Sequence, residues 1–567
     1  MSVMKMSRRH SIAIAMAALA LGLAGTLPAQ AGAAEIGVNP VFQDPAQSAD
    51  TVGQLGAKWV RAFVRWDQVE PDAPGVWQPG SLRELEGWTA VAPLRGLKIV
   101  ATVVGAPRWA NGSGDPYVPP RDPEDYGRFV NSLAARERGK VAAWEIWNEP
   151  DEKEFWHGPV GPEHYTPLLK AAGRGIKEAD PSALVLAAPA TGNNFRFLEG
   201  IYAAGGGASF SGVAVHTDTA CLTARPDHFY READGRVGRF SFLGFREVHD
   251  VLARQGHAER PIIMTELGWS ATKARCDRGA SAGRKAAGVG EAEQASNLRL
   301  AYHCLSFYPY VRAGLWFSLR DTAIADGELT RYGLQRYDGS RRPAFDALAS
   351  IGHGRAPGSG DCGDFAPPDL TVLAPAPGAL YDRSLAIEVS ARDRLSKLGR
   401  ISFSANGQRI RSFTGNDLSN GRAVGIEWMG ARNMPYGPVK VTIDALDEFG
   451  NTTSREVEVQ RVDPAALPAR RPSISLRLSG RGVKRRVRGR VSSQGFAFKP
   501  GGKIVVQWQY NRKGRWVTLH KRSANANRPF DHRQRLRKPG RWRVVAEYAG
   551  QRPFLPARSS RISFRAR

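Results

Sequence analysis

The sequence predicts an α/β chain: a (β/α)₈ barrel followed by two all-β, immunoglobulin-like sandwich domains. Three observations predict it. Over residues 35–351, eight short apolar runs alternate with amphipathic helical patterns. Those runs are nearly continuous rather than alternating, which is how strands covered on both faces read. Beyond residue 369 the helical period disappears, and alternating apolar runs separated by turn residues replace it.

The elements follow in order along the 567 residues. Residues 1–34 open on Lys5, Arg8 and Arg9, continue with the apolar "SIAIAMAALALGLAGTL", and end near a small-residue cleavage site at "PAQA". That order reads as a secretory signal peptide, so the expected location is extracellular or associated with the cell wall. No later stretch is long enough to span a bilayer, and no transmembrane segment is expected after signal cleavage. The eight strand candidates are "EIGVN" (35–39), "KWVRAFVRW" (58–66), "LKIVATVVG" (97–105), "VAAWEIWN" (141–148), "ALVLAAP" (183–189), "GVAVHT" (212–217), "PIIMTELGW" (261–269) and "AGLWFSL" (313–319). Helical patterns lie between them, among them 123–139, 161–180 and 290–308. An open doubly wound sheet competes, but no Gly-rich phosphate loop follows the first strand.

"GHGRAPGSGDCGDFAPPD" (352–369) reads as a linker. Residues 370–462 form the first expected sandwich, with "DEFGNTT" as a hairpin turn. A second linker spans 463–473, and a basic sandwich spans 474–567. From Arg470 to Arg567 there are 28 Lys and Arg against Asp531 and Glu547 alone, so this terminal stretch carries a net charge equal to the +26 of the whole chain, nearly all of it in the last domain. Three readings of it stay open: a solvated surface, retention on an acidic cell-wall or extracellular polymer, and nucleic-acid binding through "RGVKRRVRGR" with Trp508, Tyr510 and Trp516. Export argues against the last, and no nucleic-acid partner is expected.

The chemistry of a (β/α)₈ barrel sits at the C-terminal ends of its strands. Those ends carry Arg61 and Arg65, Trp109, Asn148 and Glu149, His216 and Asp218, Glu266 and Trp269, and Trp316. Two carboxyl groups facing one cleft suit glycosidic bond cleavage, which needs one protonated and one ionised near neutral pH. Tryptophan faces suit sugars, so Trp109, Trp269 and Trp316 are candidate stacking surfaces, while Trp144 and Trp147 read as packing. Glu145 reads as a structural acid paired with Arg61 or Arg65. His216 is either a core histidine or a substrate contact.

"WEIWNEPD" (144–151) and "IIMTELGWS" (262–270) fall on the fourth and seventh strands and resemble the motifs of the clan A glycoside hydrolases. "GAKWVRAFVRWDQVEPDAPGVW" (56–77) and "YGLQRYDGSRRPAFDAL" (332–348) are similar to segments of families 5 and 39. The resemblance covers about 35–351. It implies a retaining O-glycosyl hydrolase of a polysaccharide or oligosaccharide, with Glu149 as acid/base and Glu266 as nucleophile. By the same resemblance Asn148 holds the sugar 2-hydroxyl, Arg61 lies near the nucleophile, and Trp316 floors the subsite. Two departures, "GAPRW" after the third strand and "HTDT" after the sixth, leave the nucleophile's hydrogen-bond partner unassigned. The alternative is a non-catalytic carbohydrate-binding or wall-associated protein on the same scaffold.

Four cysteines make no CxxC pair, so no zinc site is expected, nor any other metal or cofactor. Cys221 and Cys276, in the loops after the sixth and seventh strands, are expected to form a disulfide; whether Cys304 and Cys362 pair stays open.

Overall fold

The structure is a computed structural model, and it describes residues 34–41, 43–217, 224–274, 288–323, 330–493 and 499–567. The expected signal segment lies outside these residues except for Ala34. Cys221, Cys276 and Asp218 lie outside them too. No helix among the described residues is long and apolar enough to cross a membrane. The chain forms two compact units: one runs to Pro226 and resumes over Gly244–Gly360, and the other joins Asp227–Leu243 to Asp361–Arg567.

In the first unit, eight parallel strands close into a barrel. They are β1 (Glu35–Asn39), β2 (Trp59–Arg65), β3 (Lys98–Val104), β4 (Ala143–Ile146), β5 (Leu184–Ala190), β6 (Gly212–His216), β7 (Ile262–Leu267) and β8 (Val311–Phe317). Closure is made by β1 on β8, in register from Glu35 opposite Ala313 to Asn39 opposite Phe317. Each expected strand lies within two residues of an observed one at each end. The helices are α1 (Pro45–Gln54), α2 (Trp66–Val69), α3 (Arg83–Arg95), α4 (Arg108–Asn111), α5 (Pro123–Arg136), α6 (Pro162–Ala179), α7 (Phe195–Ala203), α8 (Phe245–Arg254), α9 (Glu291–Leu305) and α10 (Pro343–Gly352).

Local sequence explains the helix starts. Proline opens α5 and α6, where its missing N–H costs no helical bond, and Asp122 caps α5 by accepting from the Glu124 amide at 3.0 Å. Both helices then reach back to the sheet. Tyr126 of α5 donates to the Val103 carbonyl at 2.7 Å, and Tyr165 of α6 donates to the Ile146 carbonyl at 2.9 Å. Two hydroxyls thus fix the ends of β3 and β4, where the expected chemistry sits.

The second unit is all β. Its first sandwich pairs the sheet β10-β16-β15-β12-β13 with β14-β11-β9. In chain order these are β9 (Asp369–Ala374), β10 (Leu380–Tyr381), β11 (Leu385–Arg392), β12 (Leu398–Ala405), β13 (Gln408–Thr414), β14 (Ala423–Trp428), β15 (Gly437–Asp447) and β16 (Thr452–Arg461). One core, including Ile387, Phe403, Val441 and Val459, fills the space between the sheets. β15 and β16 form the hairpin read from "DEFGNTT", with Gly450 at φ 83°, a left-handed conformation that favours glycine. The basic sandwich has its own core around Trp508, Trp542 and Val544. Its strands are β17 (Ile474–Ser479), β18 (Lys484–Val491), β19 (Lys503–Arg512), β20 (Arg515–Asn525), β21 (Phe530–Arg535), β22 (Gly540–Tyr548), β23 (Ala557–Arg558) and β24 (Ile562–Ala566).

Two boundaries differ from the sequence reading. Residues 227–243, expected inside the barrel segment, belong to the second unit, where Phe229 stacks on Phe365 with ring centroids 4.6 Å apart. The end of the expected 352–369 linker is packed rather than free, because Asp364 is buried. Cys304 and Cys362 are both disulfide-bonded.

Candidate active site

The barrel interior is built in layers. Trp59, Val100, Ala143, Leu186, Ala214, Ile263, Ala313 and Leu315 form one buried apolar cluster. A strand returns to the same face every second residue. Two residues on, the inward positions are therefore Arg61, Thr102, Glu145, His216 and Thr265, all buried. The apolar plug excludes water from below, and the polar layer above it faces the C-terminal end.

Arg61 is the centre of that layer. Its Nε donates to Thr102 Oγ1 and to Glu145 Oε2, each at 2.8 Å. Its Nη2 donates to Asn148 Oδ1 at 2.9 Å, and its Nη1 donates to Glu266 Oε1. Thr102 donates to Glu145 in turn. Burial alone would lower the Arg61 pKa, but Glu145 and Glu266 more than offset it, and the pKa is raised. Arg61 and Glu145 are wholly buried, a fixed ion pair beneath the cleft. The partner of Glu145 is thus Arg61; Arg65 instead binds Asp67 through two hydrogen bonds of 2.8 Å.

The end of β4 departs from strand geometry. Simple alternation puts Glu145, Trp147 and Glu149 on one face. The strand instead stops at Ile146, and Trp147 and Glu149 take φ of 70° and 42°. Left-handed backbone at a bulky residue is costly and persists only where surrounding contacts hold it. Those contacts are present. Trp147 turns out of the interior, donates to the Phe155 carbonyl at 2.7 Å and packs edge-on against Trp156. Asn148 then reaches Arg61, and Glu149 reaches His216, whose Nδ1 lies 2.6 Å from Glu149 Oε1.

Glu266 arrives by a second irregularity. Strict alternation from Ile263 would point it outward. The pairing of β6 with β7 shifts so that His216 stands opposite Glu266, and a bulge of this kind re-aims the side chain. His216 Nε2 then lies 3.4 Å from Glu266 Oε1. The histidine is thus set between the two acids, and the nearest ligand atoms of Glu149, His216 and Glu266 all lie within 4.8 Å of one another. Arg61 binds Glu266 as the resemblance implies, and His216 is the neighbour of Glu266 that the sequence left unassigned.

The environments of the two acids differ. Glu149 and Glu266 keep 17% and 13% of their side-chain surface, enough to meet a ligand from the cleft. Burial, and then the charge of Asp151, push the Glu149 pKa from 4.5 up to about 8, against the pull of Arg61. Asp151 is held close by the Thr191 amide at 2.9 Å and Asn194 Nδ2 at 2.7 Å. Burial also holds His216 below its ordinary 6.5, with Glu266 opposing that fall. Near neutral pH the site therefore holds a protonated Glu149 and a neutral imidazole beside the guanidinium-bound Glu266.

The tryptophans are placed differently from the stacking role expected of them. Trp269 and Trp316 are both 0% exposed. Their ring nitrogens donate to the carbonyls of Ala224 at 2.8 Å and Tyr332 at 2.9 Å, and the rings lie against each other at 6.2 Å. They build the wall rather than an open platform. Trp109 packs edge-on against Trp66 and donates to the Glu70 carbonyl at 2.7 Å. Sequence reasoning missed Thr102 and Asp151. A lone hydroxyl at an inward position of the apolar third strand was the available signal for Thr102; Asp151 closes the motif "WEIWNEPD", but only the fold shows its charge acting on Glu149.

A closed (β/α)₈ barrel with two carboxyl groups and a histidine at its C-terminal end is therefore the class that fold and site define. No family model and no curated protein matches the chain. Among solved structures, it is similar to an endo-β-1,4-mannanase from Thermotoga petrophila at 15% identity, covering 76% of this chain and 99% of that one, with a TM-score of 0.39. A monomeric β-xylosidase from Caulobacter crescentus matches at 13% identity over 89% of this chain and 94% of the other, with a TM-score of 0.42. A Parabacteroides merdae β-glucuronidase matches at 11% identity over 92% of this chain, which spans only 58% of that protein, with a TM-score of 0.34. At these scores the reading of the site rests on its own geometry.

Proposed function

We propose that the barrel is a retaining glycoside hydrolase in which Glu149 is the acid/base and Glu266 the nucleophile. The observation that carries this is the pair itself: two acids with oxygens within 4.8 Å, one raised to about 8 and the other bound by Arg61. Carboxyl groups about 5–5.5 Å apart suit a covalent glycosyl-enzyme, whereas inversion needs about 6.5–9.5 Å to admit a water.

In the first step Glu149 gives its proton to the glycosidic oxygen as that C–O bond breaks. A Glu266 oxygen forms the bond to the anomeric carbon. In the second, Glu149, now a carboxylate, takes a proton from water, whose oxygen attacks the same carbon and releases Glu266. Arg61 orients Glu266 and holds Asn148 at the cleft, where its amide nitrogen is placed for a sugar hydroxyl. A neutral imidazole has one donor and one acceptor nitrogen, so His216 can serve Glu149 in either protonation state.

The signal-like leader favours export, and the substrate class is an extracellular polysaccharide or oligosaccharide. The basic terminal domain would retain the enzyme on an acidic polymer, and that retention should weaken steeply as salt rises.

The test is hydrolysis of activated aryl glycosides and a polysaccharide panel by wild type, Glu149→Ala and Glu266→Ala. Glu149→Ala should keep activity on good leaving groups and be rescued by azide with retained configuration. Undiminished hydrolysis by Glu266→Ala would remove the nucleophile assignment.

A further inference from the structure

Among the described residues outside the barrel, a cluster of three acids forms no ion pair with Lys or Arg. Asp364, Asp393 and Asp447 come from three separate stretches of the second unit, and all are buried, at 3%, 5% and 1% exposure. One carboxylate oxygen from each lies within 4.8 Å of the others.

The local hydrogen bonds account for part of this. Asp393 Oδ1 accepts from the amides of Leu395 at 2.9 Å and Ser396 at 2.8 Å. Asp447 Oδ1 accepts from Phe449 and Asn451 at 2.8 Å, and its Oδ2 accepts from Asn451 Nδ2 at 2.7 Å. These are turn-stabilising bonds, and they explain why each acid is locally useful. They do not explain why the three converge. Asp364 is different: Oδ1 accepts from the Ala366 amide at 3.1 Å, whereas Oδ2 is buried with no N–H donor, and the carboxyl lies against that of Asp393 and the Ser396 side chain. Three buried carboxyl groups in contact, one with an oxygen that meets no N–H donor, are strongly unfavourable unless something positive is shared.

We propose that Asp364, Asp393 and Asp447 bind a calcium ion in the first β-sandwich. Two oxygens on one ion at about 2.4 Å can be no more than about 4.8 Å apart, and the three carboxylate oxygens lie within that limit. The donors are all hard oxygens, which excludes the thiolate and imidazole chemistry typical of zinc. Three protein carboxylates in a buried site favour calcium over magnesium, which keeps most of its water. The site is already framed. Asn451 Nδ2 also donates to the Asp364 carbonyl at 2.8 Å, and Arg231 donates to Asn451 Oδ1 and, at 2.9 Å, to the Phe449 carbonyl. The ion would tie Asp364, ahead of β9, to the β15–β16 turn and to the segment between β11 and β12.

The experiment is calcium titration of the chelator-treated full-length protein, read by calorimetry and by thermal unfolding. One calcium per chain, with Tm raised by more than about 5 °C at hundredfold excess over Kd, is the expected result. Asp364→Asn keeps the shape and the Ala366 bond and should weaken calcium binding at least tenfold while leaving glycoside hydrolysis unchanged. Glu266→Gln should bind calcium as wild type does. No bound calcium and no Tm shift in folded wild type would overturn the proposal and leave a shared proton between the acids. Calcium lost from Glu266→Gln but kept by Asp364→Asn would overturn it equally, by moving the ion to the barrel.

Discussion

The barrel and the first β-sandwich each bring three titratable groups within 4.8 Å, and they neutralise them differently. In the barrel, Arg61 binds Glu145 and Glu266, while Glu149 holds a proton up to about pH 8. Each acid there has its own solution, and the difference between the solutions is the chemistry. In the sandwich, three aspartates converge and, among the described residues, none forms an ion pair with Lys or Arg. A buried carboxylate requires a cation, a proton or a metal ion. Where the cation is a covalently fixed side chain, the charges are permanent and can be assigned separate roles. Where it is absent, the site becomes a binding site for something from solution.

The largest effect should come from removing a reacting acid. Glu266→Ala should lower kcat/KM on the order of 10⁴-fold, about 5–6 kcal/mol of transition-state stabilisation, in steady-state assays with aryl glycosides. The next should come from making the barrel resemble the sandwich. Arg61→Met leaves Glu145 buried without its partner and should cost about 3–5 kcal/mol in denaturant unfolding; adding Glu145→Met should restore much of it.

A third concerns the proton. The folded chain retains the Glu149 proton between its ordinary 4.5 and about 8, where the unfolded chain has lost it. Stability from this group therefore falls as pH rises through that interval, and Glu149→Gln should flatten that slope. The same ionisation should set an alkaline limb near pH 8 in kcat/KM for wild type. The smallest expected effect lies in the aspartate trio. Without calcium, Asp364→Asn should be neutral or stabilising by about 1 kcal/mol, because it removes a like charge; with calcium present it should be destabilising relative to wild type.

Much of this molecule was legible along the chain, for particular reasons. Eight continuous apolar runs meant eight buried parallel strands, because covering both faces leaves no place for alternation. "WEIWNE" and "IIMTEL" placed Glu149 and Glu266 at strand ends, which is a local property of the sequence. The hairpin at Gly450 was equally local, since a left-handed turn favours glycine.

Tertiary structure alone decided the rest. The sequence placed Glu149 and Glu266 on one cleft and read Trp147 as packing, but strict period-two alternation does not by itself deliver that geometry. The left-handed Trp147 and Glu149 after β4, with Trp147 packed against Tyr126 and Trp156, and a register shift between β6 and β7 bring the two acids to His216. Trp269 and Trp316 looked like sugar platforms as residue types, yet backbone carbonyls from Ala224 and Tyr332 claim their nitrogens and bury them. The aspartate trio had no motif at all, because its members lie 83 positions apart from first to last. Strand identity follows from the composition of a few adjacent residues. Which carboxylates share a field, and with what counter-charge, follows from distances that only the folded chain sets.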